Sequence, residues 1–470
     1  MAESLVNMEL LPDDVLITVL QFLDVEDVLA CRLVCKRLCG LALDQYVWRH
    51  RSLADDHPRA GAVLLLAPCL KMLTVTGRVP TLAATTTGCA VESLELRSRD
   101  ADPFSPAEYS LAVLKQEALG RLRRLKVAGM DRGVSTGPDV LARTIASCSG
   151  LESLEVLGWL PELSRPIVRG PSAPSLTRFH CLANERAASF VYSILASHAP
   201  TLEEVSTGTD FPFQETVTAK FLAKLPRLRS LRCENPIGGL EAVAASPTLC
   251  EVSFELYPED LDQFNILQQF LHRAGHLRSV HLSNCAEGLF TDVLFAEVVE
   301  ALLAGPSRHL ERLALQGFKE VRPLLLALPL LRSLHHLDLD AEPDEDVLKG
   351  ITPATAPALT LLELGQLPVG QCPHAWMHGP AVQAMLRQNP SLHILLRLNT
   401  FSIMCDPLDC GSCGLACHQE VRWGWEEERK VSIGIFSHGP AQCPAPDDHA
   451  LAFDWQRGDD GKAMVTWIHM

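Results

Sequence analysis

From Leu70 onward, apolar side chains recur in one short signature, L-x-x-L-x-L with conservative replacements. It stands at 70–75, 91–96, 122–127, 151–156, 176–181, 228–233, 249–254, 277–282, 310–315, 334–339 and 359–364, with shortened copies at 202–205 and 392–395. Inside each copy the later leucines alternate with polar residues, which is the period of a strand with one buried face. Helix-period stretches such as 215–223 and 294–303 lie between copies. Breakers such as Ala199-Pro200, Leu225-Pro226 and Ser246-Pro247 precede the next copy. Starts fall 21 to 33 residues apart, with a mean of about 27. The pattern predicts one strand and one helix per unit. Neither can bury its apolar face alone, so the units must stack. The spacers 97–121, with Pro103 and Pro106, and 158–175, with Pro161, Pro166, Pro171 and Pro174, read as loop insertions.

Both ends differ. Leu11-Pro12-Asp13-Asp14 opens a helix, because Pro has no donor to lose there and acids suit the positive helix end. Val15, Leu16, Val19, Leu20 and Leu23 follow at helical spacing. Asp24 is the expected cap of a second helix carrying Val28, Leu29, Cys31, Leu33, Val34, Cys35, Leu38 and Cys39. On that helix Cys31, Cys35 and Cys39 share a face and read as buried small hydrophobes. Beyond residue 400 the repeat stops, and Trp423, Trp425, Trp455 and Trp467 crowd into the last 70 residues. Segments 431–436, 451–455 and 464–468 read as strands, with a turn at 456–461. A small β-rich unit is expected, either a cap on the repeats or a separate module.

Composition narrows the function classes. Of 470 residues, 47% are apolar and 21% charged, enough for a large core. Lys plus Arg is 41 against 57 Asp plus Glu, a net charge of −16, which argues against a nucleic-acid partner. The apolar runs 62–67 and 324–331 fall far short of the roughly 20 residues a spanning helix needs, so no membrane insertion is expected. The N-terminus MAESLVNMEL lacks a basic region ahead of an apolar one, so an intracellular address, cytoplasmic or nuclear, is expected.

The N-terminal stretch 9–53 resembles the F-box. The resemblance rests on Leu11-Pro12, Val15-Leu16, Val19-Leu20, Leu23, Val34-Cys35-Lys36 and Trp48. The repeats that follow resemble leucine-rich repeats, and the two together resemble the F-box/leucine-rich-repeat family. The expected fold is α/β: a helical F-box over 1–57, a leucine-rich-repeat solenoid of about 13 units over 58–400 (a curved parallel sheet with outer helices), and a small β-rich tail over 401–470. The resemblance implies a substrate receptor of an SCF-type ubiquitin ligase. It implies docking on the Skp-family adaptor, and through it on cullin and RING subunits, by Leu11, Pro12, Val15, Leu16, Leu20, Val34, Cys35 and Trp48. It implies an unknown protein substrate held by the repeats for ubiquitination and proteasomal degradation. Such a chain is not itself an enzyme.

Residues between the leucines face the concave side of such a stack. They include Arg124, Lys126, Ser153, Glu155, Ser230, Arg232, Ser279, His281, His336 and Asp338. Arg124, Lys126, Arg232, His281, His336 and Asp338 are the candidate substrate contacts. They are chemically mixed, and any one of them alone reads as solvated surface. The tail carries Cys405, Cys410, Cys413 and Cys417-His418, with His438, Cys443 and His449 downstream. Cys405, Cys410, Cys413 and Cys417 could hold a structural zinc, while free thiols are the plainer reading. No other cofactor is expected. The acidic run 340–346 reads as a solvated loop. Nucleotide-binding, metalloprotease and nucleophile-elbow motifs are absent from the sequence. Two rivals stand beside the ligase reading: a repeat scaffold acting without ubiquitination, and a zinc-dependent activity in the tail.

Overall fold

The computed structural model describes residues 11–76, 81–97, 106–130, 139–158, 167, 170–183, 187–209, 215–257, 261–285, 291–305, 309–318, 321–340, 344–365, 367, 372–397, 411, 431–439, 443 and 464–470. The chain divides into two compact units, 1–228 and 229–470.

Helices α1 (Asp13–Phe22), α2 (Val25–Cys31), α3 (Lys36–Ala42) and α4 (Gln45–Trp48) open the first unit. Pro12 precedes α1, and Asp13 and Asp14 occupy its first turn. Asp24 caps α2 by accepting from the Asp27 N–H at 2.8 Å. The expected long second helix does not form. It stops at Cys31, a turn covers 32–34, and Cys35 caps α3 through a contact of its Sγ with the Leu38 N–H at 3.4 Å. Cys31, Cys35 and Cys39 therefore share no helical face, and Cys35 is exposed. With this break α3 runs so that Arg37 reaches Asp13, at 2.6 Å, and the Leu11 carbonyl. Leu16, Leu20, Val28, Ala42, Val47 and Trp48 form the core of these helices, and the Trp48 indole N–H donates to the Ala42 carbonyl at 2.7 Å.

Strands β1 (Ser52–Ala54), β2 (Cys69–Val75), β3 (Ala90–Arg97), β4 (Arg124–Met130), β5 (Ser153–Gly158), β6 (Arg178–Ala183) and β7 (Glu204–Thr209) complete the first unit's sheet. All are parallel and paired in chain order. In the second unit β8 (Ser230–Cys233), β9 (Glu251–Leu256), β10 (Ser279–Asn284), β11 (Arg312–Gln316), β12 (His336–Leu339), β13 (Leu361–Leu364) and β14 (His393–Arg397) repeat the arrangement. Every leucine signature forms a strand, β2 to β14. The spacer 97–121 is not a loop insertion, since it holds helix α5 (Pro106–Ala118). Pro106 is its first residue, where a missing N–H costs nothing. Within the acidic run, Asp344 caps α6 (Glu345–Gly350) by accepting from the Asp346 N–H at 2.7 Å, and Arg322 pairs with Asp344 at 3.2 Å.

One hydrogen-bond device sets the register. At eight signatures the carbonyl of the residue after the first leucine accepts from two successive N–H groups of the next repeat. Arg123, Glu152 and Thr177 do so in the first unit, for example Glu152 N at 2.7 Å and Ser153 N at 3.1 Å onto the Arg123 oxygen. Arg229, Cys250, Arg278, Glu311 and His335 do so in the second. The register then brings leucine beside leucine, as Leu94, Leu125, Leu154 and Phe179 show. Each of these is buried, and full burial of such a side chain stabilises by about 1.5–3 kcal/mol.

After β14 the sheet reverses. Strand β15 (Val431–Phe436) is antiparallel to β14, and β16 (Met464–His469) is parallel to β15. These two tail strands continue the repeat sheet of the second unit, as a cap does. The expected strand at 451–455 and turn at 456–461 lie outside the described residues. Among the described residues no helix is long and apolar enough to cross a membrane.

Gly434 of β15 lies under the Trp467 indole of β16, and a Cβ there would run into the ring. Gly434→Ala is expected to lower unfolding stability by about 1–3 kcal/mol. Most of that loss should vanish in a Trp467→Ala background, read as a double-mutant cycle of denaturant midpoints.

Candidate functional site

Two surfaces stand out. The first lies on the N-terminal helices. Val15, Val19 and Phe22 are spaced i, i+4, i+7 on α1, and all three are exposed, Phe22 at 85%. Leu33 at 78% and Val34 at 69% stand exposed in the turn between α2 and α3. Arg37 joins that turn to the start of α1 through Asp13 and Leu11. Pro12 and Cys35 are exposed, and Leu11 is half-buried. These five exposed apolar side chains stand on a small helical unit that has its own buried core.

The second surface is the sheet face opposite the leucines. In the first unit the register aligns Glu95, Lys126, Glu155 and His180. Lys126 pairs with Glu155 at 3.1 Å, and Arg124 pairs with Glu92 at 2.5 Å. These are half-exposed cross-strand pairs of alternating charge. The second unit differs. Its register aligns Arg232, Ser253, His281, Ala314, Asp338 and Glu363, and four of these are buried polar residues. The Asp338 and Glu363 side chains are each 1% exposed. Arg397 reaches back from β14 to contact Asp338, Glu363 at 3.3 Å and Asp340 at 3.5 Å. His336 Nε2 lies 2.8 Å from Glu363 Oε1.

The charges of this group follow from burial and from one another. Burial pushes the Asp338 carboxyl up to about 6, against the pull of Arg397. Burial also opposes the Arg397 cation, but Asp338, Glu363 and Asp340 outweigh it and hold the guanidinium more firmly protonated than usual. Burial pushes His281 down to about 4, against the opposing pull of the Gln316 side chain and with Arg232 and Arg397 adding to the fall. His281 Nδ1 lies 2.9 Å from Ser253 Oγ. This Ser–His contact is half of a nucleophile pair, but the side chain that favours the ring's proton is Gln316, an amide where an activating pair would use a carboxylate. The imidazole is a neutral structural group. Elsewhere, burial raises the thiols of Cys89 and Cys181 to about 12, which keeps them protonated and unreactive.

Residues 8–54 match the F-box-like family. The chain carries an F-box-like domain. No curated protein matches the chain. Among solved structures, the leucine-rich repeat-containing protein LegL7 of Legionella pneumophila is similar at 15% identity and TM-score 0.36, over 73% of this chain and 95% of its own. The Rad7 and Elc1 complex of yeast is similar at 14% identity and TM-score 0.37, over 77% of this chain and 84% of that one. The leucine-rich-repeat architecture rests on the strand registers and leucine burial above, not on these distant likenesses. The protein thus joins an F-box-like domain to a leucine-rich-repeat fold.

The domain sorts its predicted docking residues into two sets. Leu11, Pro12, Val15, Val34 and Cys35 reach the surface. Leu16, Leu20 and Trp48 do not, because they are the core on which the helices pack. Val19, Phe22 and Leu33 complete the exposed stripe. The helical period of α1 could have shown that Val19 and Phe22 fall on the face of Val15. Among the predicted substrate contacts, Arg124, Lys126 and Arg232 are half-buried and accessible. His281, His336 and Asp338 are neither solvated nor accessible, because the register stacks them against polar neighbours. Arg397 and Glu363, the partners that complete the group, were not anticipated. Cys405, Cys410, Cys413 and Cys417 lie outside the described residues.

Two outcomes follow for the buried group. Arg397→Leu is expected to cost about 3–5 kcal/mol, because it leaves two buried carboxylates without their cation. Adding Asp338→Asn should recover part of the loss in urea denaturation. For pH, the unfolded His281 charges near 6.5, whereas the folded one stays neutral down to about 4. The unfolded state therefore binds more protons in that window. Stability is lost as pH falls through it, by about 3 kcal/mol in all. Asp338 acts in the opposite sense, since its raised value contributes stability at low pH that is lost as pH rises through about 6. His281→Gln should thus gain in melting midpoint, relative to wild type, as pH is lowered from 7 to 5.

Proposed function

We propose that this protein is the substrate-recognition subunit of an SCF-type ubiquitin ligase. Its F-box-like domain docks on the Skp-family adaptor, and the polar face of its leucine-rich repeats holds a protein target. The observation that carries the reading is the exposed apolar stripe of Val15, Val19, Phe22, Leu33 and Val34, on a domain that already has its own core. The mechanism is proximity. Fixing target and adaptor on one chain raises the effective concentration of a target lysine near a ubiquitin-carrying enzyme elsewhere in the assembly. The chain supplies no bond chemistry. Its half-exposed charged ladder of Arg124, Lys126 and Glu155 suits a partner of mixed charge.

Co-purification with the Skp-family adaptor tests the reading. The wild type should retain adaptor, cullin and RING subunits. Val19→Asp/Phe22→Asp/Val34→Asp should lose all three with an unchanged melting midpoint, because these side chains are exposed. Trp48→Ala should instead lower the midpoint, at about 3–5 kcal/mol for an aromatic core truncation. Absence of the adaptor from a folded wild type would sink the proposal and leave a scaffold that works without ubiquitination.

A further inference from the structure

Among the described residues, His393, His438 and Cys443 bring three ligand atoms within 4.8 Å of one another. They come from separate places in the chain: His393 opens β14, His438 follows β15, and Cys443 lies five residues further on. Both imidazoles are buried and Cys443 is half-buried.

We propose that His393, His438 and Cys443 bind a zinc ion that staples the end of β15 to β14. The first argument is the tautomer. His393 Nδ1 lies 3.2 Å from the Thr360 carbonyl, and His438 Nδ1 lies 2.8 Å from the Pro390 carbonyl. A carbonyl can only accept, so each Nδ1 carries the proton and each Nε2 offers its lone pair. Metal-bound imidazoles are held in this way, with the outer N–H donated to a backbone carbonyl.

The second argument is spacing. Cys443 Sγ lies 3.5 Å from His393 Nε2. Zinc bonds of about 2.3 Å to sulfur and about 2.0–2.1 Å to nitrogen, at a tetrahedral angle, separate those ligands by about 3.6 Å. The third is chemistry. Two imidazoles and one thiolate are a borderline-soft set that suits zinc and excludes calcium or magnesium, which take oxygen. The fourth is the surrounding wall. The Trp467 ring packs edge-on to His393 at 5.5 Å, and Phe436 packs 5.2 Å from His438. An apolar shell of this kind limits water and strengthens the metal–ligand bonds.

The site has a structural task. Strand β15 is the first antiparallel strand of its sheet, and 33 residues separate β14 from β15. Metal binding converts that long closure into a fixed crossing, because ligands preassembled by the fold turn binding energy into stability.

The test uses the full-length chain. Zinc per chain is measured by plasma mass spectrometry for the wild type, Cys443→Ser, His438→Asn and Cys410→Ser/Cys413→Ser. The Cys443 and His438 variants should each hold one zinc equivalent fewer than the wild type, and the 410/413 variant should keep that equivalent. X-ray absorption on the wild type should include a zinc bound by two nitrogens and one sulfur. This readout stands even where a variant fails to fold. Three outcomes would overturn the proposal: a wild type that takes up no zinc, equal zinc in wild type and Cys443→Ser, or a purely sulfur shell. Each would leave the 3.5 Å contact as a thiol–imidazole hydrogen bond.

Discussion

The shared carbonyl at the entrance of most repeat strands governs much of what this structure does. An oxygen that accepts from two successive N–H groups, as at Arg123, Cys250 and His335, holds the next strand at one offset. A slip of one residue would turn every leucine to the polar face and every charge into the core. The side chain at that position takes no part in the bond, so Arg, Glu, Thr, Cys and His all serve there. Backbone geometry holds the stack, while leucine burial supplies the energy.

The same register has a second consequence on the opposite face. In the first unit it lines up Glu95, Lys126, Glu155 and His180, of which Glu95 is buried and the other three are half-exposed. In the second it sets Asp338 beside Glu363, two acids that would repel in isolation. Arg397 makes that neighbourhood tolerable by reaching both, and His336 approaches Glu363 from the other side. Buried charges of this kind stabilise little against apolar replacements. The strand order places Arg397 within reach of both acids.

The N-terminal domain divides its apolar residues by helical period. On α1, Leu16 and Leu20 face inward to Trp48, while Val15, Val19 and Phe22 face out. A four-helix unit of about 45 residues has little interior, so an apolar set this rich must leave some surface uncovered. The excess is what a partner can bury.

Much of this was legible in the chain. The leucine period identified every strand from β2 to β14, because a repeated local pattern is its own evidence for stacking. Pro12, Asp13 and Asp24 marked the helix starts, since capping is chemistry between near neighbours. What sequence distance hid, the tertiary structure decided. The break of the second helix at Cys31 places Arg37 against Asp13, 24 residues away. Pro106, placed by the sequence in a loop insertion, begins α5, where its missing N–H costs nothing. The fate of His281, His336 and Asp338 depended on which strands flank them, and that of His393 on a segment some fifty residues later. Local periodicity determines which face a side chain takes. Only the assembled sheet determines what stands beside it.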